Sequence, residues 1–245
     1  MLTLENISVR YPNGLTAVQG ADLTIEAGSF TSIVGPSGCG KSTLLRLIAG
    51  LAQPSAGRIE GRPEGEIGLV FQDPTLMPWA DVEANVYLPL RLAGVSRANA
   101  APRIAEALAL VGLSDFAQAY PRALSGGMRM RVAIARAIVM RPRLLLMDEP
   151  FAALDEITRN KLNDDLLTLW REQGFTTVFV THSVFESVYL STDIAVMTSR
   201  PGHILAHRKV EGPPLRDREF RASLAYLDAC RTVSNDLERA MGGAA

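Results

Sequence analysis

The stretch Gly35-Pro36-Ser37-Gly38-Cys39-Gly40-Lys41-Ser42-Thr43 decides how the rest of the chain is read. It matches G-x-x-x-x-G-K-[ST] and lies between a predicted strand, Phe30–Val34, and a predicted helix over residues 41–49. Each residue type has a physical job there. Gly35, Gly38 and Gly40 let the backbone reach positive φ and come close to a polyanion, where a Cβ would clash. Amides at the start of the helix point at the phosphates, and the helix dipole adds positive potential. Lys41 offers a mobile charge to the β- and γ-phosphates, and the Ser42 hydroxyl is in reach of a magnesium ion. Pro36, Ser37, Cys39 and Thr43 complete the loop, Cys39 as a small spacer. A glycine-rich turn with an incidental lysine would need neither the strand before it nor the helix after it. The stretch is read as a nucleotide phosphate site.

Composition bounds the rest. With 245 residues, 47% of them apolar and 21% charged, the chain has the make-up of an ordinary globular protein, as one large domain or a domain with a small insertion. With a formal net charge of −1, nothing in the bulk electrostatics argues for nucleic acid, and no such partner is expected. Two cysteines, Cys39 and Cys230, make no disulfide framework, and a reducing compartment is expected. Neither a signal peptide nor an uncharged apolar run long enough to span a bilayer is visible, so any membrane role is expected to come through a partner.

In chain order, Leu2, Leu4, Ile7 and Val9 alternate as a strand with a slip near Asn6, where a bulge fits. Tyr11-Pro12-Asn13-Gly14 reads as a turn and residues 17–26 as a second strand, which predicts a small antiparallel sheet ahead of the phosphate loop. Tyr11 is then either a half-buried turn residue or a ring beside the nucleotide; position alone favours the first. Residues 57–60 and 66–71 read as short strands, the second ending in Gln72, which either caps its strand or contacts a metal-bound nucleotide. Leu76-Met77-Pro78-Trp79 is apolar and proline-broken, a contact surface or an inward-packed loop. Residues 82–111 are helical in pattern and rich in alanine, and 128–140 form another helical run. Before that run, Leu124-Ser125-Gly126-Gly127 places a hydroxyl and two glycine amides at a helix N-terminus, a second anion site by the same physics. Arg129, Arg131 and Arg136 read mostly as a solvated basic face.

Leu144-Leu145-Leu146-Met147-Asp148-Glu149-Pro150 follows. Consecutive apolar residues predict a central parallel strand buried on both faces. Two carboxylates at its C-terminal end fall where α/β sheets place ligands. Asp148 is expected to hold magnesium through water, and Glu149 to orient or deprotonate a water beside the γ-phosphate. A helix over Glu156–Gln173 and a buried strand over Thr176–Thr181 come next. His182 at that strand's tip is either locally hydrogen-bonded or in reach of a γ-phosphate. Residues 203–210 look strand-like, 216–240 amphipathic, and 242–245 frayed. The expected fold is α/β: a P-loop NTPase core with a mostly parallel sheet, an N-terminal antiparallel β subdomain and an inserted α-helical subdomain. It is expected as one domain over 1–245, the helical insertion at about 77–140 and a helical tail at about 216–245.

With these residues in place, the chain resembles the ATP-binding subunits of ABC transporters. Leu124-Ser125-Gly126-Gly127 resembles that family's signature motif, Gln72 its Q-loop, Ala153-Leu154-Asp155 its D-loop, His182 its H-loop and Tyr11 its stacking aromatic, all in the family's order. The motifs run through most of the chain. Phe71-Gln72-Asp73-Pro74, Leu76-Met77-Pro78-Trp79 and Ser199-Arg200-Pro201-Gly202 look more narrowly like importers of nitrate, sulfonates and taurine. Two features depart from the pattern. Met128-Arg129-Met130-Arg131 stands where many relatives carry glutamines, and Ser183 follows His182 where an aspartate is common.

The resemblance implies a head-to-tail homodimer enclosing ATP and magnesium, each ATP lying between one copy's phosphate loop and the Ser125, Gly126 and Gly127 of the other. It implies a separate transmembrane permease, and indirectly an extracytoplasmic solute-binding protein, with the chain at the cytoplasmic face of the inner membrane. Lys41, Gln72, Glu149 and His182 would carry hydrolysis, with Ser42, Gln72 and Asp148 at the metal. The leading reading is thus the ATPase of a small-solute importer. An exporter or lipid-extracting ATPase is the alternative, and a soluble ATPase of DNA repair or translation a further one. The latter is expected to need coiled coils or tandem domains. Lys41→Ala should abolish ATPase activity through lost phosphate binding; normal turnover in a phosphate-release assay would defeat the reading of the loop.

Overall fold

The computed structural model describes residues 1–63, 65, 67–213 and 216–242. Glu66, placed by its pattern at the start of a short strand, and residues 243–245, expected to be frayed, lie outside the described residues. In chain order the elements are β1 (Leu2–Arg10), β2 (Thr16–Ile25), β3 (Phe30–Val34), α1 (Lys41–Ile48), β4 (Ala56–Glu60), β5 (Ile67–Val70), α2 (Val82–Leu92) and α3 (Arg97–Leu110). There follow α4 (Gly126–Ile138), β6 (Leu144–Asp148), α5 (Glu156–Gln173), β7 (Thr176–Thr181), α6 (Val184–Leu190), β8 (Asp193–Met197), β9 (Ile204–Lys209), α7 (Arg218–Arg221) and α8 (Leu224–Gly242). They form two compact units, one of Met1–Pro63 with Phe175–Ala245, the other of Glu64–Gly174.

In the first unit β1 and β2 pair antiparallel across the turn that the sequence marks. The Tyr11 amide donates to the Leu15 carbonyl at 2.8 Å and the Gly14 amide to the Tyr11 carbonyl at 2.9 Å. Leu2, Leu4, Ile7 and Val9 are buried with Val18, Ala21, Leu23 and Ile25, which gives the sheet one apolar face. Its register shifts between Leu4 and Ile7. There Asn6 takes φ 48°, and its amide donates to the Asp22 carboxylate at 2.7 Å. β4 adds on the other side of β1, so the small sheet runs β2-β1-β4.

The second sheet portion of this unit has β3 at its centre, parallel to β7 on one side and to β8 on the other. β9 closes its edge antiparallel to β8. Every residue of β3 and β8 is buried, as central strands covered on both faces require. α6 and β8 were not picked out from the pattern. Both had signals: Ser183 and Glu186 at capping-box spacing before α6, and the apolar run Ile194-Ala195-Val196-Met197 in β8. α8 is amphipathic and carries the buried Asp236, which takes both Arg208 Nε at 2.8 Å and Arg208 Nη2 at 3.1 Å.

In the second unit β5 and β6 are parallel. The helical stretch at 82–111 is two helices, parted at residues 93–96, where Gly94 takes φ 78° and Ser96 caps α3. α4 lies over β5, and a Cβ on Gly68 would come within 2.9 Å of the Ala137 carbonyl. The described residues therefore give an α/β fold with a mostly parallel core, an antiparallel N-terminal sheet and a helical insertion.

Gly57 shows how little the small sheet tolerates. Its φ is 88°, and a Cβ there would overlap the Asn6 and Glu5 carbonyl oxygens. Gly57→Ala should lower stability by about 1–3 kcal/mol; an unchanged midpoint in urea unfolding would show that the bulge yields freely.

Candidate active site

In the first unit the site begins where β3 ends. Val34 is paired with Thr181 of β7, so Gly35 and His182 leave neighbouring strands at one level. The loop then passes through positive φ at Gly38 (74°) and Gly40 (107°). Gly40 stands just before α1, and a Cβ there would come within 2.9 Å of Val18 Cγ2 and 3.0 Å of the Ala17 carbonyl. Gly35 is as confined, with Cys39 Sγ and the Met197 carbonyl each 2.9 Å from its would-be Cβ. Ser37 and Gly38 are exposed at the tip, whereas Pro36, Ser42 and Thr43 are half-buried.

Lys41 is only 5% exposed. Its Nζ donates to the carbonyls of Gly35 at 2.8 Å and Pro36 at 3.1 Å, which aims the ammonium back across the loop. Tyr11, which position alone favours as a half-buried turn residue, lies within 3.1 Å of Thr43 Oγ1 through its hydroxyl. The turn between β1 and β2 thus brings an aromatic ring, 39% exposed, to the phosphate loop. Cys39 is buried beneath the loop, and burial pushes its thiol above the usual range, an effect that the nearby Lys41 and Arg200 charges only partly offset.

His182 is exposed on a turn tied from both sides. Thr181 Oγ1 donates to Glu186 Oε2 at 2.5 Å and accepts the Ser183 amide at 3.0 Å. Ser183 Oγ caps α6 by accepting the Glu186 amide at 3.3 Å. Serine here does the capping work that an aspartate would do, so that departure from the family pattern is structurally mild.

In the second unit Val70 is paired with Met147. Gln72 and Glu149, each two residues further on, therefore leave adjacent parallel strands at one level, with Asp148 as the last residue of β6. Asp148 and Glu149 are half-buried. Glu149 takes φ 46°, a left-handed conformation that costs a non-glycine residue about 1–3 kcal/mol and is concentrated at functional sites. Past Gln72, the Thr75 amide donates to Asp73 Oδ1 at 2.8 Å.

Arg131 and Arg136 of α4 are half-buried and depart from the reading as a solvated face, which the exposed Arg129 keeps. Arg136 donates to the carbonyls of Pro74 at 2.7 Å and Thr75 at 2.9 Å and to Thr75 Oγ1 at 3.1 Å, so it anchors the segment after Gln72. Burial lowers its pKa. Arg131 donates to the Val111 carbonyl at 3.2 Å and pairs with Asp165, and Arg129 donates to the Leu124 carbonyl at 3.0 Å. These partners are distant in sequence or are backbone carbonyls, which no periodicity marks.

Ser125 is exposed and caps α4, its Oγ accepting the Met128 amide at 3.2 Å. The two glycines after it let the start of α5 pack close. A Cβ on Gly127 would come within 2.6 Å of Thr158 Cγ2, and one on Gly126 within 3.2 Å of Leu154 Cδ2. Asp155 caps α5 by accepting the Thr158 amide at 2.9 Å, and that bond holds its carboxylate below the usual range. Met130 is buried in the core of this unit, so that departure replaces a polar side chain by packing.

Comparison with known proteins agrees with this layout. The family of ABC transporters matches residues 18–152. An aliphatic sulfonates import ATP-binding protein of Pseudomonas savastanoi pv. phaseolicola is 49% identical over 205 residues, 84% of each chain. A taurine import ATP-binding protein of Yersinia pseudotuberculosis is 41% identical over 244 residues, 93% of this chain and 95% of its own. Among solved structures, a dimeric ATP-binding cassette in a post-hydrolysis state with ADP and Pi superposes with a TM-score of 0.75. It is 33% identical and covers 87% of this chain and 100% of its own. The chain therefore belongs to the ABC transporter family, as an ATP-binding subunit that hydrolyses ATP in support of transport.

Proposed function

We propose that this chain is the energising subunit of an importer of small solutes of the nitrate, sulfonate and taurine class. Two copies would bind head to tail with ATP between them and dock on a separate permease at the cytoplasmic face of the inner membrane. An external solute-binding protein would deliver the cargo. The chain would work as one nucleotide-binding domain, 1–245, with the helices at about 77–140 as its insertion and the helices at about 216–245 as its tail. The observation that carries the dimer is the pair of helix N-termini. α1 offers amides and Lys41, and α4 offers an exposed serine cap and two glycines, yet one helix end cannot surround a triphosphate. The names of the taurine and sulfonate relatives support import, and the dimeric solved relative supports the pairing.

Within that reading, Gly35 to Thr43 would cradle the phosphates and Tyr11 would stack on the base. The residues assigned to magnesium fit a hard cation: a hydroxyl from Ser42, a carboxylate from Asp148 and an amide oxygen from Gln72. No group of three or more His, Cys, Asp or Glu side chains among the described residues is placed to hold a metal alone. The phosphate oxygens of the nucleotide would then complete the shell. Bound magnesium would neutralise charge on the phosphoryl oxygens. Glu149 would orient the attacking water, and His182 would steady the γ-phosphate, so catalysis would rest on positioning and electrostatics.

A rigid and exposed loop supports docking to a partner. The buried Asn85 accepts the Met77 amide at 2.7 Å and donates to the carbonyls of Met77, Ala80 and Asp81 at 2.9–3.2 Å. That fixes the loop while Trp79 remains 77% exposed. No helix among the described residues is long and apolar enough to cross a membrane.

Two experiments test the proposal. Glu149→Gln should cut turnover by about 100-fold or more while ATP still binds, and ATP should shift it to a dimer in gel filtration. Binding without any dimer would sink the sandwich. With the cognate permease reconstituted in liposomes, Trp79→Glu should lower solute uptake far more than the ATPase rate of the isolated chain. Uptake equal to the parent would remove Trp79 from the docking surface.

A further inference from the structure

The turn between β8 and β9 is built against the phosphate loop. At its base the Thr198 amide donates to the His203 carbonyl at 3.0 Å, and Thr198 Oγ1 accepts the His203 amide at 3.1 Å. On one side the Gly202 amide donates to the Ala17 carbonyl at 3.0 Å and its carbonyl accepts the Gln19 amide at 2.9 Å, so the turn is tied to β2. Gly202 is buried, and a Cβ there would overlap the Cys39 carbonyl oxygen. From this fixed base Arg200 reaches the tip of the loop, donating from Nε at 3.0 Å and Nη2 at 2.7 Å to one acceptor, the Gly38 carbonyl.

That acceptor matters because of peptide geometry. In a trans peptide the Cys39 N–H points opposite to the Gly38 C=O. Holding the carbonyl outward turns the amide inward, where it donates to the Pro36 carbonyl at 3.3 Å. Gly38 has φ 74° and no Cβ, so its own conformation does little to choose between orientations of this peptide. An external clamp can choose.

We propose that Arg200 is a positioning residue for ATP: by gripping the Gly38 carbonyl from outside, it holds the phosphate loop in its binding shape before the nucleotide arrives. The inference rests on the reading of residues 35–43 as the triphosphate loop. Its physical content is preorganisation. A loop ordered in advance loses less conformational freedom on binding, so affinity rises without any new contact to the ligand. Arg200 needs its planar fork for this, since two donors on one carbonyl fix a direction that a lysine point charge cannot.

The test uses the intact chain with its two native cysteines. Cys39 and Cys230 are both buried, and N-ethylmaleimide labelling of each is followed by mass spectrometry, with and without ATP. In Arg200→Ala, ATP KM should rise about three- to tenfold while kcat at saturation changes far less. Without ATP, Cys39 should label about tenfold faster than in the parent, with Cys230 unchanged, and ATP should restore protection. Arg200→Lys should resemble Arg200→Ala more than the parent.

Three results would overturn the clamp. Arg200→Ala could match the parent in both readouts. Arg200→Lys could restore both, which would make charge alone sufficient. Cys230 could accelerate together with Cys39, which would mean general loosening. ATP binding that survived Lys41→Ala unchanged would instead defeat the reading of the loop itself.

Discussion

The amides at the start of α1 can face a triphosphate because the chain leaves β3 through a turn that passes twice through positive φ, at Gly38 and Gly40. A Cβ at Gly40 would meet Ala17 and Val18, and one at Gly35 would meet Cys39 and Met197. The turn is thus constrained from inside by packing as well as by dihedral preference. Lys41, buried and bonded to the Gly35 and Pro36 carbonyls, places its charge within the same loop. In the proposed reading the loop would serve a polyanion because its turn gathers N–H groups and one ammonium at the start of α1.

The parallel strands extend this logic to the other groups. Because Val34 pairs with Thr181, the loop and His182 start from one level. Because Val70 pairs with Met147, Gln72 and Glu149 do the same in their own unit. Strand register, set by apolar residues buried on both faces, is what aligns polar residues that follow the strands. The φ of 46° at Glu149 costs local stability, in line with the proposed aiming of its carboxylate at a water.

Much of this was legible in the sequence because it is local. Phe30–Val34, Glu156–Gln173 and Thr176–Thr181 run between the residues that their patterns indicate. The glycines of the phosphate loop and the Ser125 cap announce their conformations through residue type. The role of Tyr11 beside Thr43 was not legible from position, since it depends on how the small sheet meets α1. Nor were the clamps. Arg136 holds carbonyls 61 and 62 residues away, and Arg200 holds one 162 residues away. An arginine that grips a backbone carbonyl leaves no trace in the partner's identity, because every residue has a carbonyl. α6 and β8 are hidden for a different reason: at 7 and 5 residues they are too short for a periodicity to stand out directly after the strand tip at His182.

In the proposed dimer the ATP site is shared, the phosphate loop coming from one copy of the chain and Ser125, Gly126 and Gly127 from another. The most direct measurement is ATPase activity per chain across a roughly thousand-fold dilution at saturating ATP, with the oligomeric state followed in parallel. A shared site requires activity per chain to fall with dilution as dimers dissociate. Constant activity per chain at concentrations where the protein is monomeric would contradict it.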